Sequence, residues 1–157
     1  MTDLPNIIST KIVAEKWDIF WDDVYANNPG ISKADVLVIT PPYLAESAEE
    51  IQLKKMLTAC NLTSEQYNIL QADAGQLIPW HHLRDKVNPK VIILLGILPE
   101  HLGISAMFHL YKPNNFNNRL WIAGLSLPEL EQQPDAKRQL WTEGFKPVFV
   151  DKTIGNF

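Results

Sequence analysis

The sequence predicts an α/β domain whose central sheet is mostly parallel and covered by helices on both faces. Three observations lead there. Val36 to Thr40 and Val91 to Leu95 are short runs that are apolar except for the closing threonine, the pattern of strands buried on both faces. Segments with helical spacing lie between the apolar runs, so strand and helix alternate along the chain. The composition is that of an ordinary globular domain, 46% hydrophobic and 20% charged over 157 residues, which is enough chain to enclose one core.

Each element has its own signal. Asp35 suits a turn before the first strand, Val36 to Thr40. The chain then passes through Pro41-Pro42-Tyr43 and turns helical from Ser47. Glu49 and Glu50 lie in the first turn, where acidic groups suit the helix dipole, Ile51, Leu53, Lys54 and Leu57 form the expected shared face, and Asn61 marks the stop. Thr63-Ser64-Glu65 turns the chain into a second strand over Tyr67 to Gln71. Pro79, Trp80 and Leu83 indicate a short helix. Asn88-Pro89-Lys90 introduces the most apolar strand, Val91 to Leu95, which ends at Gly96. Another short helix follows Leu98-Pro99, then Phe108 to Tyr111. The stretch "KPNNFNNR" reads as a loop, because asparagine accepts turn conformations. Leu120 to Ala123 forms a further strand. Pro134 opens a last helix with Ala136, Leu140 and Trp141, proline being tolerated in a first turn. The chain contains no internal repeat and no low-complexity tract.

Charge and cysteine usage narrow the function classes. The formal net charge of −4, from 14 basic and 18 acidic residues, removes the simplest electrostatic case for nucleic-acid binding, so direct binding is expected to be weak or absent. A single cysteine, Cys60, cannot form an internal disulfide and favours a reducing compartment. Met1 to Lys16 lacks a basic region followed by an apolar run, and no apolar stretch has the length of a membrane span. A cytoplasmic protein without a membrane partner is the expectation.

The residues that could perform chemistry are sparse. His81 and His82 are adjacent, which on a helix points them apart rather than toward one metal. A zinc site would need His101, His109 and distant carboxylates, so no metal is expected. Cys60 has Lys54 and Lys55 nearby but no flanking base, and reads as a small buried residue. Neither a Walker loop nor G-x-G-x-x-G is present, and no cofactor is expected. The amino-terminal segment, residues 1–30, reads as a helical arm ahead of an α/β domain at 31–157. Within it Val13, Trp17, Phe20, Trp21 and Val24 share one helical stripe, with Glu15, Asp18, Asp22 and Asp23 on the other sides. Such aromatic residues taken singly read first as core packed on the chain's own sheet, with an interface as the alternative.

Two stretches, "NPKVIILLG" and "LWIAGLSLPELEQQPDAKRQLW", resemble uracil-DNA glycosylases: the first their proline-led apolar strand ending in glycine, the second their last strand, active-site turn and following helix. In order and spacing the resemblance runs from about Asp35 to Phe145. It implies a glycosylase-like α/β fold with a degenerate site. Where such enzymes hold a water-orienting acid after the first strand, this sequence has Pro41, followed by the matching Pro42 and Tyr43. The histidine that stabilises the leaving uracil anion falls at Gly124 or Ser126. Without a group to orient water or to stabilise the anion, the resemblance implies no catalytic residue and no enzyme.

The stretches "LTACNLTSEQYNILQADAGQLIP" and "LSLPELEQQPDAKRQLW" also resemble the psi subunits of bacterial DNA polymerase III, which use this fold without the activity. That resemblance implies a noncatalytic adaptor in DNA replication, part of a polymerase holoenzyme, with the clamp-loader ATPase subunits and a chi-like subunit as partners. It assigns loader binding to the amino-terminal segment, here Ile7 and Ile8 with Trp17, Phe20 and Trp21. The competing reading is a glycosylase-fold enzyme or another nucleic-acid-related binding domain, with Asp73 or His81 substituting for the missing groups.

Overall fold

In the computed structural model, residues 33–73 and 78–151 are described, and they belong to the unit Ile31–Phe157. The amino-terminal positions singled out above, Ile7, Ile8, Trp17, Phe20 and Trp21, lie outside the described residues. Five strands form one sheet: β1 (Val36–Thr40), β2 (Tyr67–Gln71), β3 (Val91–Leu95), β4 (Pro113–Phe116) and β5 (Arg119–Gly124). Their spatial order is β2-β1-β3-β5-β4. The first four in that order are parallel, and β4 runs antiparallel to β5. The architecture is therefore α/β with a mixed, mostly parallel sheet.

Parallel pairing brings Val36, Val91 and Leu120 into one row, and Val38, Ile93 and Ile122 into the next. Alternation sends these residues to one face, where they form a core with Leu53 and Leu57 of α1 (Ala48–Ala59). Leu127 and Leu130, beyond β5, join the same core, together with Leu140, Phe145 and Phe149. The alternate residues, including Leu37, Ile92 and Trp121, are fully buried on the opposite face. There Trp80, the first residue of α2 (Trp80–Val87), meets Trp121 edge-on with ring centroids 4.7 Å apart. Both faces of the sheet are thus covered.

Helix α1 begins at the predicted residue: the Glu50 N–H donates to Ser47 Oγ at 3.4 Å. Its buried side differs from the expected one. Ile51 is half exposed, whereas Gln52 is only 5% exposed. A buried amide is tolerated because it is bonded: Gln52 Nε2 donates to the Leu127 carbonyl at 3.2 Å.

The "KPNNFNNR" stretch is a hairpin rather than a loop. Pro113 to Phe116 is strand β4, and Asn117 and Asn118, both at positive φ, make the two-residue turn into β5. Such a turn requires left-handed backbone at both central positions, which asparagine adopts readily. Proline is accommodated because β4 is a sheet edge. Phe116 packs against Trp121 at 5.8 Å, and the Trp121 indole N–H donates to the Phe116 carbonyl at 2.9 Å.

Beyond β5 come α3 (Leu127–Gln132) and α4 (Pro134–Gln139), and then a π-helix over Leu140–Val150. The expected last helix begins at Pro134, but its backbone widens at Leu140. Pro147 sits inside the wide segment, where it cannot donate a backbone hydrogen bond. Gly144 lies where a Cβ would stand 2.8 Å from the Tyr111 carbonyl oxygen and 3.0 Å from Ile122 Cγ2. Tyr111 cannot easily retreat, since its N–H donates to the Ala123 carbonyl at 2.8 Å. Gly144→Ala should therefore lower stability by about 1–3 kcal/mol, as overpacking against fixed backbone does. Urea unfolding followed by circular dichroism measures this, and an unchanged midpoint would show that the helix can shift.

Candidate functional site

The strand order reverses direction at β1 and β3, since β2 lies on one side of β1 and the later strands lie beyond β3. In open α/β sheets, ligands favour the crevice outside the carboxyl ends of strands at such a point. Parallel pairing brings the predicted positions to this one edge. Thr40 closes β1 beside Gln71, and Leu95 closes β3 beside Gly124 of β5. Pro41, Pro42 and Tyr43 continue from the first strand, and Leu125-Ser126 from the last.

Each of these positions is occupied by structural work. Thr40 is buried, and its hydroxyl donates to the Pro41 carbonyl at 3.2 Å. Pro42 is exposed and has no ionisable group. The Tyr43 backbone N–H donates to Gln71 Oε1 at 3.1 Å, which fixes the turn to the end of β2. Burial, followed by the nearby Glu50 carboxylate and Tyr67, raises the Tyr43 phenol above its ordinary value, so it remains protonated across the neutral range.

The last-strand positions are equally committed. At Gly124 a Cβ would meet the Leu140 methyl carbons at 3.2 and 3.3 Å. That space holds no larger side chain without repacking Leu140, which is fully buried. Gly96, at φ 76°, leaves only 2.7 Å between an added Cβ and Ser126 Cβ, and its N–H donates to the Gly124 carbonyl at 3.0 Å. The ends of β3 and β5 are therefore joined through close backbone approach. Ser126 caps α3: the Glu129 N–H donates to its Oγ at 3.4 Å, while the Ser126 backbone N–H donates back to Glu129 Oε1 at 3.3 Å and its hydroxyl to the same oxygen at 2.7 Å. This reciprocal arrangement is a capping box. It places a carboxylate beside a serine, but as an exposed cap without an imidazole between them.

The remaining candidates are dispersed. Asp73 is exposed just beyond β2, and His81 is exposed in the first turn of α2. The His81 and His82 rings lie 4.4 Å apart and tilted. The Leu98 N–H donates to His101 Nδ1 at 3.1 Å, within a single short turn. Among the described residues no group of three or more His, Cys, Asp or Glu side chains could hold a metal. No helix among them is long and apolar enough to cross a membrane.

Cys60 lies at the opposite, amino edge of the sheet, where it lines a cavity of about 370 Å³ with Asp35, Val36, Gln66 and Phe149. Burial pushes its thiol up to about 12, the reverse of what an activated nucleophile needs.

Sequence reasoning missed two polar residues. Gln71 holds the Pro-Pro-Tyr turn, and Gln52 holds the start of α3. Each reads in the sequence as an ordinary surface amide, so neither gave a usable signal. The chain matches no model of a known protein family and no curated protein.

Two outcomes test this assignment of roles. Ser126→Ala should cost about 1 kcal/mol in urea unfolding through the lost cap, with recovery by Ser126→Thr. Full stability in the alanine variant would remove the capping role. Cys60, whose thiol is pushed up by burial, should react slowly with a disulfide reagent in the native protein and quickly in urea. Rapid stoichiometric labelling of the folded chain would contradict the burial.

Proposed function

We propose that the chain is a noncatalytic adaptor that uses a glycosylase-like scaffold for protein binding, as psi subunits do. In this reading it belongs to a DNA polymerase III assembly, with the clamp-loader ATPase subunits as partners and a chi-like subunit on another face. Ile7, Ile8, Trp17, Phe20 and Trp21 engage the loader. The observation that supports it most is the state of the carboxyl edge. Gly124 and Ser126, where the resemblance locates a histidine, are held by Leu140 packing and by the α3 cap.

The resemblance locates an acid at Pro41, which offers neither proton acceptor nor donor from its side chain. A glycosylase would need both contributions, since orienting water and stabilising a developing anion are separate parts of the barrier. Arg119, the cation on the β4–β5 hairpin, is also held in structural contacts. Arg119 donates through Nε to the Pro89 carbonyl at 2.8 Å and through Nη2 to Asn88 Oδ1 at 2.7 Å, and its guanidinium lies 5.3 Å from the Trp80 ring centre. Burial, and then Arg84, lower its affinity for a proton. A cation fixed in this way serves the hairpin and α2 before any phosphate.

The purified chain should release no uracil from single-stranded DNA above the rate without protein. It should also co-purify with clamp-loader ATPase subunits, and deletion of residues 1–11 should weaken that association without shifting the melting transition. Uracil release that disappears in Asp73→Asn or His81→Ala would replace the adaptor with an enzyme. A truncated chain that folds and binds the loader normally would remove the proposed role of the amino-terminal segment.

A further inference from the structure

A groove of about 220 Å³ lies between α1 and the last helical segments. From α1 it takes Gln52, Lys55, Met56 and Ala59, spaced so that they share one side of the helix. The other wall is Lys137 of α4 with Trp141 and Phe145 of the π-helix. Phe145 is buried and Met56 and Trp141 half-buried, so the floor is apolar, while Lys55 and Lys137 are exposed at the rim.

Charge distinguishes this groove from an ordinary seam between helices. Neighbouring cations are paired: Lys54 with Glu50 at 3.5 Å and Arg138 with Asp135 at 3.8 Å. Lys55 and Lys137 have no carboxylate partner among the described residues. Lys137 is nonetheless directed: its ammonium donates to Gln52 Oε1 at 3.5 Å. Gln52 is in turn anchored by its bond to the Leu127 carbonyl. A buried amide thus holds one cation over an apolar slot.

We propose that this groove binds an acidic peptide segment, one bulky apolar side chain entering between Met56, Trp141 and Phe145 and flanking carboxylates meeting Lys55 and Lys137. Two features favour a peptide over a nucleic-acid strand. The slot is flanked by two helical walls, which suits an inserted side chain, whereas base stacking uses aromatic platforms along a basic track. Among the described residues, two cations without a carboxylate partner, Lys55 and Lys137, line the groove in a chain of net charge −4, enough for a short acidic motif but not for a tracked backbone. This proposal uses none of the amino-terminal residues assigned to the loader, so either assignment can fail without the other.

The test measures binding of fluorescein-labelled peptides to the full chain by anisotropy, at low and at high salt. The probes carry a central Leu, Phe or Trp flanked by aspartates and glutamates, with a lysine-flanked peptide and an oligothymidylate as comparisons. At least one acidic peptide should bind, more weakly as salt rises. The Lys55→Glu/Lys137→Glu variant, with unchanged circular dichroism, should bind it at least about tenfold less tightly. Trp141→Ala should weaken binding to a similar degree. Lys54→Glu, on the same helix, should have little effect and controls for general charge. The proposal is overturned if none of the acidic peptides binds, if the double variant binds as the parent does, or if the oligothymidylate binds and the acidic peptides do not.

Discussion

The close contact between the backbone of the π-helix and strand β5 is the constraint on which the rest of this domain depends. Gly144 lies against Ile122 and the Tyr111 carbonyl with no room for a methyl group. The contact sets Leu140 over Gly124, and so determines what the carboxyl end of β5 can hold. From there the constraint passes across the sheet. Gly124 receives the Gly96 N–H, and Gly96 in turn lies directly against Ser126. The ends of β3 and β5 are consequently joined by backbone contact. Interiors pack too densely for such an arrangement to open by a small adjustment.

Much of this architecture is legible in the sequence because local and tertiary demands agree. Val36 to Thr40 and Val91 to Leu95 are strands at their predicted bounds, since strands covered on both faces need apolar residues at every position. Ser47 and Asn61 mark the ends of α1 for local reasons, a side-chain cap and a left-handed residue. Pro-Asn-Asn-Phe, by contrast, has poor strand propensity and forms β4 because it pairs with β5 and packs Phe116 against Trp121. The widening at Leu140 is equally hidden. Gly144 within the wide segment meets Ile122 of β5, a contact that no periodicity within the helix reports.

The edge positions were legible in a narrower sense. The glycosylase resemblance singles out Pro41, Pro42, Tyr43, Gly124 and Ser126, but not the contacts that occupy them. Leu140 is sixteen positions beyond Gly124 in the chain, and the space it fills exists only after the last helix folds back. Gln71 has the same character: its amide accepts from Tyr43 across the end of two strands. A polar side chain bonded to distant backbone leaves no local pattern, because the partner is chosen by topology.

Gln52 brings these threads together. Its Nε2 is bound to Leu127, the first residue of α3, and its Oε1 receives the Lys137 ammonium. The helix that Ser126 caps and the cation at the groove rim are therefore held by opposite ends of one buried amide. An apolar residue of similar size would fill the same volume, yet it would leave the Leu127 carbonyl with one bond fewer and Lys137 without its guide. Burying an amide is unfavourable unless both of its ends are bonded. Here both are, and the second bond adds little to a core that Leu53 and Leu57 already fill. A polar group retained at that depth is better explained by the position it gives a charged neighbour than by the stability it adds.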